Sequence, residues 1–264
     1  MKCAGYYAIY MLVTILAAGV LGAAIGISGS TEDTAALVEK NAITLTLLAN
    51  ASFLLIMAVF YNNKSRFSSF GERIKLAPIH PKMNTYIFSL AVCAIMAVQV
   101  VNIIPFPTSW IEMAMDNSEM IVSASPAIQI LTVAVMAPLT EEILFRGLML
   151  GVLSKVCNRW LAIVATALVF GLVHGHPIGI IYASCLGLIL GWLYIKTGSI
   201  IAPILFHTVY NFASLFFPVP DTFIGVLLIA IAGFAIGAVC TLSIAKLPAI
   251  KKNSENSDNS EDLK

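Results

Sequence analysis

The sequence predicts an all-α protein: a polytopic membrane helix bundle of about eight transmembrane helices, with N- and C-termini cytoplasmic. Three observations carry that expectation. Of 264 residues, 59% are hydrophobic and only 11% charged, where soluble proteins carry about 25% charged residues. Mean hydropathy is +0.92. The apolar residues also gather into runs of about 20, the length a helix needs to cross some 30 Å of hydrocarbon.

The first run, 6–29, exceeds the apolar core of a cleavable signal, about 7–15 residues, and suits an uncleaved anchor. Further spans are expected at 42–61, 84–104 and 126–150, then, less cleanly separated, at 160–175, 178–195, 199–217 and 222–246. The fifth and sixth are short and share the junction His174-Gly175-His176-Pro177. That suits tilted or partly re-entrant helices whose irregular backbone lies against protein or water. Between the third and fourth spans, Glu112, Asp116 and Glu119 interleave with Trp110, Met113 and Met115, the pattern of a short amphipathic helix at the outer interface. Residues 1–250 read as a single transmembrane domain, and 251–264 as a disordered polar cytoplasmic tail.

Orientation follows from the cations. With both termini inside, Lys2, Lys64, Arg66, Arg73, Lys75, Lys82, Lys155, Arg159, Lys196, Lys246, Lys251 and Lys252 are all cytoplasmic, and Lys40 alone falls in an outer loop. The segment Asn62–Lys82 is then a basic cytoplasmic loop. An integral multi-pass protein of the cell membrane is expected, with the lipid bilayer as its solvent.

The net charge of +1 gives no basis for nucleic-acid binding, which needs clustered cations to neutralise phosphates. Cys3, Cys93, Cys157, Cys185 and Cys240 are scattered without Cys-x-x-Cys spacing, so they form neither a disulfide framework nor a zinc site. The glycine pairs Gly22/Gly26, Gly147/Gly151, Gly187/Gly191 and Gly233/Gly237 are four apart, which permits close helix packing.

Charge inside a span needs a reason, because mid-bilayer placement costs about 2.5–3.5 kcal/mol on insertion scales. Glu141, Glu142 and Arg146 share the fourth span. Glu142 and Arg146 are one helical turn apart and can neutralise each other. Glu141 is rotated by about 100° and has no cation at helical spacing, which makes it the best candidate for a general base or acid. A lone buried histidine is ordinarily a satisfied core residue. Here Phe170 and His174, and His207 and Asn211, form aligned pairs four apart in two other spans. Pro138 and Pro203 each precede a polar residue by four and are expected to kink their helices near it.

These residues resemble the type II CAAX prenyl endopeptidases, also called the ABI or CPBP family of intramembrane proteases. Three motifs match in order: Glu141-Glu142-Ile143-Leu144-Phe145-Arg146 with Gly147, then Phe170-Gly171-Leu172-Val173-His174, then His207-Thr208-Val209-Tyr210-Asn211. The family-like core runs over about 126–217. The resemblance implies an endopeptidase acting on a membrane-associated peptide or protein. Glu141 and His174 would activate water, His207 and Asn211 would polarise the scissile carbonyl, and Glu142, Arg146 and Phe170 would support the site. It does not fix whether the substrate is prenylated.

A metal route stands beside the metal-free glutamate route. Glu141, His174 and His207 would hold zinc with an open fourth position. The metal-free route is favoured because His-Glu-x-x-His is absent and the site offers few negative ligands. Two other classes compete with a protease: a non-proteolytic immunity or scaffold protein that binds a peptide in the same cavity, and a proton-coupled transporter. The transporter would ordinarily show internal repeats, and none is detectable in the sequence.

Overall fold

The computed structural model describes residues 41–62 and 74–248. The expected first span, most of the basic loop and the polar tail lie outside the described residues. Eight helices fill the described chain, with no strand among its residues. We label them α1 (Ala42–Asn62), α2 (Pro81–Ile103, its last turn 3-10), α3 (Thr108–Val122) and α4 (Pro126–Leu153). They continue with α5 (Arg159–Leu172), α6 (Pro177–Thr197), α7 (Ile201–Ser214) and α8 (Phe223–Lys246).

Local chemistry sets the boundaries. Proline opens α2, α4 and α6 at the position where its missing N–H is harmless. Side chains of Asn158 and Thr222 accept from the backbone N–H of Trp160 and Gly225 at the starts of α5 and α8. Gly198, at φ 69°, closes α6 in the left-handed conformation that favours glycine. Gly175, at φ 78°, makes the corresponding turn between α5 and α6.

α1, α2, α4, α6 and α8 are long and apolar enough to cross a membrane. Large apolar side chains such as Ile224 and Phe234 on α8 stand exposed, as lipid-facing residues do. The chain is an integral multi-pass membrane protein. Span lengths differ from expectation in two places. The sixth span, read as short, is a full helix of 21 residues. The seventh is a helix of only 14 residues, about 21 Å long, the same length as the fifth, which was expected to be short. The turn at Gly175 ends α5 early, and α7 unwinds ahead of Pro218 because a residue preceding proline avoids the α conformation.

Glycine faces lock two antiparallel pairs. On α8, Gly233 lies against the backbone of Cys93 and Ala97, and Gly237 against Cys93 and Leu90 on α2. On α6, Gly187 lies against Ala167 and Gly191 against Ile163 of α5. Any larger residue at Gly187 or Gly233 would meet backbone within 3 Å, so the expected packing role holds for both pairs.

α4 runs through the centre and is irregular. Ile130–Met136 and Ile143–Leu150 are π-helical, and such turns mark places where a helix is re-aimed. The first lies just before Pro138, where a distortion was expected. Pro203 behaves differently: it is the third residue of α7, so no intrahelical carbonyl lies one turn before it. It helps start that helix and does not kink it.

Candidate active site

Glu142 and Arg146 sit on α4, fully buried, with Arg146 Nη1 donating to Glu142 Oε1 at 2.8 Å. Their one-turn spacing on the helix produces this pair. The guanidinium also donates through Nη2 to the carbonyl of Gly187 at 3.2 Å and lies 4.4 Å from the ring centroid of Phe170. α4 is thereby tied to α6 and α5 at one point.

The sequence did not foretell the second partner of Glu142. Nδ1 of His207, on α7, lies 2.8 Å from the same Oε1. A carboxylate accepts, so Nδ1 of His207 carries the proton and donates it. Its other nitrogen, Nε2, faces Glu141 Oε2 at 3.8 Å. His207 therefore stands between the two glutamates. At that separation Glu141 is not hydrogen-bonded to the imidazole, and its side chain keeps 26% exposure.

His174 lies just past the end of α5, in the turn toward α6. Its Nδ1 is 2.8 Å from the Phe170 carbonyl, which can only accept, so Nδ1 donates and Nε2 is left as an acceptor. Phe170, buried, is the hub of the site. Its ring meets Phe145, His174 and His207 edge-on at centroid distances of 5.2, 4.9 and 5.8 Å. Asn211, one turn after His207, donates from Nδ2 to the Val133 carbonyl at 2.9 Å, pinning α7 to the first π-helical stretch of α4. Its second amide hydrogen remains for another acceptor.

These groups share one cavity of about 710 Å³, lined among others by Glu141, His174, Tyr182, His207, Tyr210 and Asn211. The structure thus gathers the three motifs on the walls of one space, while Glu142, Arg146 and Phe170 form the buried floor behind them. His176 and Tyr182 were not singled out by the sequence. His176 is buried and accepts from the Gly179 N–H at the start of α6. Tyr182 stacks edge-on to His174 at 6.2 Å. Helical spacing could not reveal either, because both join the site only through the α5–α6 turn.

Among the described residues, no three His, Cys, Asp or Glu side chains are placed to hold one metal ion. The set Glu141, His174 and His207 therefore does not fit zinc as it stands.

Residues 123–213 match the family model described as type II CAAX prenyl endopeptidase Rce1-like. A Bacillus subtilis (strain 168) protein named "Putative membrane peptidase YdiL" is 26% identical over 98 residues, 36% of this chain and 40% of that protein. An Escherichia coli protein named "Uncharacterized 24.3 kDa protein" is 37% identical over 83 residues, 30% of this chain and 38% of that one. The chain spans about two fifths of the length of these curated relatives. No solved structure matches it. The stretch that matches this family model contains Glu141, Glu142, Arg146, Phe170, His174, His207 and Asn211.

Proposed function

We propose that the protein is an intramembrane endopeptidase that hydrolyses a peptide bond of a membrane-associated protein or peptide with water activated by Glu141 and His174. One observation carries the reading: Glu142 is spent on Arg146 and His207, while Glu141 and His174 both line a common cavity. A carboxylate and an imidazole that line one cavity supply the groups that removal of a proton from water requires.

In the proposed reaction the water oxygen bonds to the scissile carbonyl carbon as its proton passes to Glu141 or His174. The negative oxygen that develops needs donors. The spare amide hydrogen of Asn211 supplies one. Nε2 of His207 supplies a second only if that ring carries both protons, because Nδ1–H is already given to Glu142. Collapse breaks the C–N bond, and the held proton moves to the leaving amine. Water thus provides the OH of the new acid and one hydrogen of the new amine.

Phe170 and Arg146 act through position. The aromatic ring separates the two histidines, and the guanidinium cancels the Glu142 charge so that a buried carboxylate can orient His207. The test is mass spectrometry of membrane peptides from cells carrying wild type or Glu141→Gln. Fragments present only with wild type are expected. Identical peptide sets, with both proteins present in the membrane, would reject the peptidase reading in favour of a binding protein.

A further inference from the structure

Away from the site, charge is sorted by end. Among the described residues the cations other than Arg146 are Lys75, Lys82, Lys155, Arg159, Lys196 and Lys246. They occupy the strap before α2, the starts of α2 and α5, and the region at or just past the ends of α4, α6 and α8. Contacts bring these termini together. Lys196 Nζ donates to the Ala245 carbonyl at 2.7 Å, and Ile200 N donates to the Lys75 carbonyl at 3.0 Å. The Lys75 ammonium is pushed below its ordinary value by burial and then by the charges of Arg159 and Lys155.

The carboxylates other than Glu141 and Glu142 are Glu112, Asp116, Glu119 and Asp221 among the described residues. They lie on α3 and in the α7–α8 loop, at the opposite end of the antiparallel bundle. Cations are retained on the cytoplasmic side of membrane spans. The cation end is therefore the cytoplasmic one.

The cavity lies toward the other end. Its walls are the start of α1, the last turns of α2, Asn117 and Met120 of α3, the middle of α4 from Thr132 to Phe145, the α5–α6 junction with the first turns of α6, and the second half of α7. A further cavity of about 410 Å³ shares Val101, Asn102 and Ile178 with it and continues along another side of α3. Toward the cation end the bundle is filled. Leu150, Leu193, Tyr194, Ile200 and Phe206 are each at most 1% exposed. His174 is about 22 Å from Arg159 at about 1.5 Å per residue, a depth close to the far side of a hydrocarbon core of about 30 Å. The space between the site and the cation end is packed.

We infer that the active site is entered from the extracytoplasmic face, and that its substrate is a peptide stretch exposed on that side of the membrane. The substrate half of this inference rests on the peptidase reading. The opening does not.

Two measurements decide it. In the full chain with its native cysteines replaced by alanine, single cysteines are introduced by Asn102→Cys in the cavity, Ser118→Cys on α3 and Val156→Cys beside the cation end. A membrane-impermeant maleimide is then added to intact cells, with the cysteine-free chain as blank. Ser118→Cys and Asn102→Cys should label in intact cells, and Val156→Cys only after permeabilisation. The reverse pattern overturns the orientation. Asn102→Cys labelled only after permeabilisation overturns the opening. The same three substitutions in the native-cysteine background, read as label gained over the unsubstituted chain, keep the test valid if the cysteine-free protein fails to fold.

The second measurement maps the new peptide ends that distinguish wild type from Glu141→Gln. Ends on extracytoplasmic segments are expected. Ends confined to cytoplasmic segments overturn the substrate assignment while leaving a peptidase. No difference at all overturns the peptidase reading and the substrate with it, and the labelling still decides the opening.

Discussion

Nδ1 of His207 lies 2.8 Å from Oε1 of Glu142, the same oxygen that receives Nη1 of Arg146 at 2.8 Å. One buried carboxylate therefore fixes an imidazole on α7 and a guanidinium on its own helix. The second glutamate of the motif ties the helices of the site together, and the first lines the cavity.

Glu142→Ala or Arg146→Ala leaves a buried charge without its partner, which is expected to lower stability by about 3–5 kcal/mol. Removing both partners abolishes the orphaned charge, so the double variant should be milder than the worse single one. Unfolding in detergent measures all three. Strict additivity would show that the two side chains do not act as a pair.

The α2–α8 contact predicts a contrast between two glycines one turn apart. A Cβ at Gly233 would sit 2.6 Å from the Ala97 nitrogen and the Cys93 carbonyl, both backbone, whereas one at Gly237 would meet Cys93 Cβ at 3.4 Å. Gly233→Ala should destabilise by about 1–3 kcal/mol through overpacking. Gly237→Ala should be close to neutral in the same unfolding measurement.

Much of this was legible in the sequence because membrane spans announce themselves by length and apolarity. α1, α2, α4, α6 and α8 fall close to the expected spans, and the amphipathic pattern around Glu112 and Met115 is α3. The three motifs were readable because each is a one-turn pair. What escaped depends on contacts between distant segments. The Glu142–His207 bond spans 65 residues, and nothing local to either residue announces it. His176 and Tyr182 enter the site only because Gly175 turns the chain at φ 78°. The π-helical stretches of α4 left no trace in apolar periodicity, since almost every position in Ile143–Leu150 is apolar and buried.

The paired roles of His207 and Asn211 predict separable losses. His207→Ala and Asn211→Ala should each reduce cleavage by about 10² to 10³ as lost oxyanion donors, with the effect on kcat and little on KM. Asn211→Ala also frees the Val133 carbonyl, which the Asn211 amide now satisfies, and should lower stability by about 1 kcal/mol. A change in KM alone for both variants would place them in substrate binding.

The most searching prediction concerns Glu141. Its side chain keeps 26% exposure, and its nearest ionisable partner, Nε2 of His207, is 3.8 Å away, beyond hydrogen-bond range. Glu141→Gln preserves size and polarity but cannot take a proton from water, so cleavage should fall by at least about 10² to 10⁴. His174→Ala should be comparably damaging, because His174 lines the same cavity as Glu141. Stability should barely change for Gln, since the buried network of Glu142, Arg146 and His207 Nδ1 is left whole. Loss of cleavage with an unaltered unfolding midpoint therefore separates Glu141 from Glu142, whose removal should damage both. A correctly folded Glu141→Gln protein that cleaves at the wild-type rate would end the water-activation assignment and leave Glu141 as a residue that binds peptide or relays protons.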